Sequence, residues 1–235
     1  MTSPSIEIEG ATSKSQARKT AARNGRRLTP GVQRQRLKDA ALKLFATRGF
    51  HSSTVRQIAG KVNLQPGILY HYFASKHDLL REICVDFVLR TQAMAETILR
   101  TTPDPVDAVA ALLHAGVDNA IRNANASQVL RREARLLEHH QLAIVSDVLR
   151  LHRENWVKAI EKGNADGTFD VADPRLAAMV IVQIEDIASW YDPHGRLGKE
   201  SLINQLTQYT LRLLGHVCDE RCAERVCGQL RSNGR

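Results

Sequence analysis

With 235 residues, 43% hydrophobic and 25% charged, the chain can bury one large or two modest cores, and no run approaches the roughly 18 uninterrupted apolar residues of a membrane span. Its net charge of +8 is concentrated: residues 1–36 hold eight Lys/Arg against two Glu, whereas residues 37–235 hold 25 basic and 23 acidic side chains. A near-neutral body with a basic head excludes a protein that coats polyanions over its whole surface and implies a localised contact surface. The first residues lack the apolar core of a signal peptide, so the expected compartment is the cytoplasm, where four cysteines are most simply free thiols.

Residues 1–32 are rich in Ser, Thr, Lys, Arg and Gly and poor in large apolar side chains, so disorder is expected there, with Lys14, Arg18, Lys19, Arg23, Arg26 and Arg27 forming a basic arm. From Gln33 to Arg48, Leu37, Ala40, Ala41, Leu44 and Phe45 make a helical stripe that stops at Gly49, with Phe50 packing beneath it. Next come two short helical patterns across a tight connection. The first follows Ser53-Thr54, good N-cap chemistry, and places Val55, Ile58, Ala59 and Val62 on one face. The second opens at Gln65 with Pro66 in its first position, sets Leu69 and Phe73 on a common side, and runs to Phe73. Ile68, His71 and Tyr72, with Tyr70 at the edge, fall on the other side. That spacing, over about residues 54–73, is that of a helix-turn-helix, whose second helix lies in the DNA major groove. So many rings outside the apolar face suit contact with a polyanion, where hydroxyl and imidazole groups donate to phosphates. The basic arm then either follows the DNA backbone or minor groove, or serves only as a solubilising tail.

Ser75 caps a long fourth helix with Leu79, Ile83, Phe87, Met94 and Ile98 along one side, and Lys76 at its start is placed to hold a phosphate. Cys84, beside the apolar face, reads as a buried thiol. Beyond Pro103 the helical form repeats: Asp104-Pro105 to about Ala124, Ser127 to about Glu138, about Gln141 to Asn164, Leu176 to Trp190 after Asp173-Pro174, and about Lys199 to Val217. The fold class is therefore all-α with about nine helices. The expected division is a basic arm (1–32), a helix-turn-helix DNA-binding domain (33–80), a ligand-binding and dimerisation domain (81–218) and a C-terminal tail (219–235).

The run Thr54-x-x-x-Ile58-Ala59, then Gly67-x-Leu69-Tyr70-x-Tyr72-Phe73-x-Ser75-Lys76-x-x-Leu79, resembles the signature of TetR-family transcriptional regulators. Where that family usually has Ala-Gly-Val-Ser, this chain has Val62-Asn63-Leu64-Gln65. Asn63 can take the left-handed conformation of a turn glycine, and Gln65, a weaker cap than Ser, is either a loose helix start or free to pair with adenine. The resemblance implies a homodimeric repressor that a small-molecule effector releases from a palindromic double-stranded operator. Thr54, Gln65, Pro66, Ile68, Tyr70, His71, Tyr72 and Lys76 are the candidate DNA contacts.

Two late segments are apolar on more than one face. Ala177, Met179, Val180, Ile181, Val182, Ile184, Ile187 and Ala188 nearly encircle theirs, and Leu202, Leu206, Tyr209, Leu213 and Val217 mark the last helix. By resemblance these form a four-helix dimer interface. A pocket is expected between helices, lined by Met94, Val117, Leu137, Trp156, Ile160, Ile184 and Trp190, chosen for size and helical phase. Trp190-Tyr191-Asp192-Pro193-His194-Gly195, Glu133-Ala134-Arg135-Leu136 and Asn155-Trp156 resemble an actinobacterial group that senses acyl-CoA esters. That resemblance implies that Arg135 and Arg153, with Arg131 and Arg132, serve CoA phosphates; otherwise they are solvated helix faces.

His216, Cys218, Cys222 and Cys227 fit no recognised zinc spacing, and a metal- or redox-responsive regulator, or an activator, is the alternative on the same scaffold. His139, His140 and His152 read as surface residues. With no phosphate-binding glycine loop, no HExxH and no Gly-x-Ser-x-Gly, and with Glu185 and Asp186 pointing about 100° apart on a helix, no catalysis, cofactor or metal is expected.

Overall fold

The computed structural model describes residues 29–185, 187 and 190–216. The basic arm up to Leu28, the tail from Val217 with Cys218, Cys222 and Cys227, and Ala188 of the expected dimer helix lie outside the described residues. The chain divides into two compact units, residues 1–36 and 37–235. In the first, residues 30–36 open helix α1 (Pro30–Arg48), three residues earlier than the sequence pattern indicated.

The second unit holds the rest of α1, then α2 (Val55–Lys61), α3 (Pro66–Leu69), α4 (Lys76–Thr101), α5 (Pro105–Arg122) and α6 (Ala124–Glu133). A 3₁₀ turn at Ala134–Leu136 leads into α7 (His139–Ala165), α8 (Pro174–Ile184) and α9 (Lys199–Leu213). The fold is all-α, with no strand among the described residues.

Two hydrophobic clusters organise this unit. One joins Leu37, Phe45, Phe50, Ile58, Leu69, Phe73, Leu79 and Leu80 of the N-terminal helices to Val129, Leu137, Val145 and Val148 further along the chain. The other gathers Val109, Leu113 and Val117 of α5, Trp156 and Ile160 of α7, Ala178 and Ile181 of α8, and Ile203 and Leu211 of α9. Helix α4 runs between them, burying Leu79, Leu80 and Val88 in the first and Ala95 in the second. Its first half is tied to α1 by the buried Lys38, which pairs with Asp86 and lies 3.8 Å from Glu82.

Element boundaries follow local chemistry. Asp104 and Asp173 cap α5 and α8, each ahead of a first-turn proline. Helix α9 ends in a Schellman motif: Gly215, at φ 75°, donates to the Arg212 carbonyl, and the His216 N–H donates to that of Leu211 at 2.9 Å. Further boundaries differ from the sequence reading. Asn123, not Ser127, opens α6, and its carbonyl accepts the Ser127 N–H at 3.0 Å, which places Ser127 inside the first turn. Helix α8 stops at Ile184, before Trp190, where Glu185 turns inward.

Candidate nucleic-acid interface and ligand cavity

The head is built around a capped α2. Gln57 N–H donates to Thr54 Oγ1 at 3.2 Å while Thr54 N–H donates to Gln57 Oε1 at 2.9 Å, a reciprocal capping box. Ile58 and Ala59 are buried; Arg56 and Lys61 stay exposed, basic side chains the motif reading had not singled out. Asn63 takes φ 59° in the turn, the conformation expected of it. Gln65 then sits at the N-cap of α3 with its side chain making no cap hydrogen bond, and Pro66 follows at the first helical position.

Helix α3 spans only Pro66–Leu69, shorter than the expected run to Phe73. Beyond it the chain tightens into three-residue turns, Tyr70, His71 and Tyr72 donating to the carbonyls of Gly67, Ile68 and Leu69. Leu69 and Phe73 still share the buried side. Thr54, Gln65, Pro66, Gly67, Tyr70 and His71 are exposed, Tyr70 at 57%, while Ile68 is half-buried and Tyr72 packs partly on the core.

Lys76 stands differently from the sequence expectation. Its ammonium donates to the carbonyls of Phe50 and Ser53, both at 2.9 Å, and lies 4.1 Å from the centre of the Phe50 ring. Burial lowers its pKa from the ordinary lysine value. Two of its three donors therefore lock the start of α4 to the α1–α2 connection, leaving one N–H for any further acceptor.

A cavity of about 140 Å³ opens between α4, α5, α6, α7 and α8. Phe87, Val88, Val148, Leu149, Ala120 and Val182 supply apolar walls; Thr91, Asn119 and Ser127 supply polar atoms, with Asn119 Nδ2 donating to Thr91 Oγ1 at 3.1 Å. At one end His152 Nε2 lies 2.8 Å from Glu185 Oε2. Gly116 makes this pair possible, because a Cβ there would collide with the Glu185 carboxylate. His152 is thus buried at 7% exposure, a correction to its reading as a surface residue; His139 and His140 are exposed.

None of the nine pocket candidates lines this cavity. Val117, Trp156 and Ile160 are fully buried in one cluster and Leu137 in the other; Ile184 packs partly on the core and Met94 is half-buried. Trp190 and Arg135 are exposed and Arg153 is half-buried. Size and helical phase select residues that fill space, whereas a cavity persists where side chains are small or polar, as at Gly116, Ala120 and Ser127. His152 carried a legible signal, since it is in phase with Val145, Val148 and Trp156 on the buried face of α7.

The profile "Bacterial regulatory proteins, tetR family" matches residues 37–83, and "Tetracyclin repressor-like, C-terminal domain" matches residues 102–214. HTH-type transcriptional repressor KstR2 of Mycolicibacterium smegmatis is 31% identical over 183 residues, covering 75% of this chain and 87% of the relative. The chain belongs to the TetR family. The solved structure of ketosteroid transcriptional regulator KstR2 of Mycobacterium tuberculosis is 27% identical with a TM-score of 0.69, over 80% of this chain and 96% of that one. AibR, solved in complex with isovaleryl coenzyme A and operator DNA, shares the fold at 18% identity and a TM-score of 0.69, over 75% of this chain and 96% of that one. The chain is accordingly a DNA-binding transcriptional repressor of the TetR type, with a helical region for a small-molecule ligand.

Proposed function

We propose that the chain acts in the cytoplasm as a homodimer, by binding and without catalysis. It holds two reading heads on a palindromic operator until an acyl-CoA ester enters the regulatory region. Gln65, Tyr70 and His71, exposed just before and just after α3, contact bases and phosphates; Thr54 and Pro66 set the backbone at the two helix starts. Lys76 positions α4 and offers its remaining N–H to a phosphate.

The observation that carries the mechanism is that α4 and α6 each reach both places. Helix α4 lines the cavity with Phe87, Val88 and Thr91 and starts at Lys76 in the head. Helix α6 lines it with Ser127 and ends at Glu133, whose Oε1 accepts the Phe50 N–H at 3.3 Å. A ligand larger than about 140 Å³ must part these helices, and parting them moves the head. A tenfold loss of operator affinity requires about 1.4 kcal/mol of preference of the ligand for the parted state. Among the described residues the lining contains no Lys or Arg, so the anionic CoA moiety stays outside the cavity, where Arg131, Arg132, Arg135 and Arg153 are the arginines to meet it.

Fluorescence anisotropy on a duplex from the chain's own promoter region, with a panel of acyl-CoA esters, tests the reading. Specific binding released by one ester is expected; specific binding that no ester alters removes the acyl-CoA assignment and leaves the repressor. Within the head, Tyr70→Ala should weaken all duplexes alike, and Gln65→Ala should relax preference at one position. Equal losses on operator and random duplex for Gln65→Ala would remove its role as a base reader.

A further inference from the structure

The polar end of the cavity is more specific than a generic apolar pocket. His152 and Glu185 are paired through Nε2 and Oε2, yet His152 Nδ1 and Glu185 Oε1 are sealed from solvent with no hydrogen-bond partner. Buried polar atoms are almost always satisfied, so two orphans on adjacent lining residues ask for a group that the chain does not supply. Gly116, in the middle of α5, strengthens the point. Alanine would favour the helix, but its Cβ would occupy the space that the Glu185 carboxylate fills.

The chemistry of that group follows from the atoms left over. A carboxylate oxygen accepts only, so Oε1 requires a donor, while Nδ1 accepts or donates according to the state of the ring. Among the described residues Glu185 is the single carboxylate of the lining and already faces an imidazole, so an uncharged donor fits better than an ammonium. The remaining walls, Phe87, Val88, Val148, Leu149 and Val182, take a compact hydrocarbon body. A cavity of about 150 Å³ holds a benzene-sized ring.

We propose that the part of the effector held inside this cavity is an apolar, ring-sized group bearing a hydroxyl, which donates to Glu185 Oε1. This rests on the cavity being the effector site. Entry of the ligand opens the His152–Glu185 end enough for the hydroxyl to reach this oxygen.

Two probes of nearly equal size, cyclohexanol and cyclohexanone, separate donor recognition from simple filling. Titration calorimetry on the full chain should show cyclohexanol bound about tenfold more tightly than cyclohexanone, because a site built to bond a hydroxyl discriminates against its loss. Glu185→Gln places an amide NH₂ or carbonyl where Oε1 stood, so the ratio should collapse or invert toward the ketone. If that variant does not fold, Glu185→Met should bring the ratio to about one. Ala120→Phe, which fills the cavity, should abolish binding of both probes.

Equal affinities in the wild type, no binding of either probe at millimolar concentration, or a ratio unchanged by both Glu185 variants would each overturn the proposal. Equal affinities that Ala120→Phe abolishes would leave the cavity as the ligand site while discarding the hydroxyl. Binding of either probe that Ala120→Phe leaves intact would overturn both the proposal and the cavity's assignment as the effector site.

Discussion

Gly67 shows how a single residue separates folding from recognition. It stands exposed in the first turn of α3, has no positive φ, and a Cβ added to it would meet nothing within 4 Å. Nothing in the fold asks for glycine there, and a glycine that the fold does not need is one that an outside partner approaches closely. Gly67→Ala should therefore raise stability by about 0.5–1 kcal/mol, through helix propensity and a less flexible unfolded chain. Gly67→Val should leave the melting temperature within a few degrees of wild type while lowering operator affinity measured by anisotropy. Unchanged affinity in the valine variant would show that DNA does not come close to this position. Cys84 makes the converse case of a residue closed to partners. It is buried, and desolvation followed by the nearby Glu133 carboxylate pushes its thiol up to about 12. With Cys218, Cys222 and Cys227 replaced by Ser, Cys84 should react with a disulfide reagent at pH 8 only when the chain unfolds, since the thiolate is the nucleophile. Rapid native labelling would show that Cys84 is accessible in the folded chain.

At the scale of the element, α6 joins cavity to head, and Glu133 is its contact. Replacing Glu133 with Ala leaves the buried Phe50 N–H without its acceptor, which should cost about 1–3 kcal/mol of stability. Effector affinity should remain near wild type while the ratio of operator Kd with and without effector falls toward one. A retained ratio would assign the coupling to α4 alone. Helix packing also titrates. Burial pushes the Asp118 carboxyl up, but hydrogen bonds from Lys199 of α9, at 2.7 Å, and Arg122, at 2.6 Å, outweigh it and hold the group below its ordinary 3.8. A depressed carboxylate contributes stability above the unfolded pKa, and that contribution is lost as pH falls through the folded value. Asp118→Asn should therefore melt lower than wild type at pH 7, and the two curves should converge as acid protonates the Asp118 carboxyl in the folded chain. Parallel curves down to pH 2 would remove the α5–α9 tie as a source of stability.

Such elements also show what the sequence made legible. The motif from Thr54 to Lys76 places caps, a turn residue and buried positions at fixed spacing, so local rules sufficed to locate the head. Its last turns escaped because Tyr70, His71 and Tyr72 satisfy their N–H groups with three-residue turns, which composition does not distinguish from an α-helix. The cavity escaped for a different reason. It exists because Gly116 and Ala120 on α5 are small and because Glu185, past the end of α8, returns to His152 on α7. Long-range juxtaposition of that kind leaves no local periodicity.

For the molecule as a whole, the decisive feature is an apolar face that the described chain leaves uncovered. On α8, Leu176, Met179 and Val180 are exposed while Ala177, Ala178 and Ile181 on the opposite side are buried; on α9, Tyr209 and Leu213 are exposed beside the half-buried Leu206. Met179 at 58% and Tyr209 at 55% lie far outside the range of core residues. Apolar rows at helical spacing on two neighbouring helices fit the same rows of a second copy, since a two-fold interface must match itself. In the proposed dimer, linking two heads this way would make the second half-site contact intramolecular and raise operator affinity by roughly 10²–10⁴ over one head. Met179→Glu combined with Tyr209→Glu places charges against their symmetry mates without touching the buried side of either helix. The doubly substituted chain should sediment as a monomer at micromolar concentration, keep its helical circular dichroism, and bind full operator no more tightly than a half-site. A dimer surviving both charges would move the interface elsewhere, and monomers retaining wild-type operator affinity would mean that each head reads DNA alone.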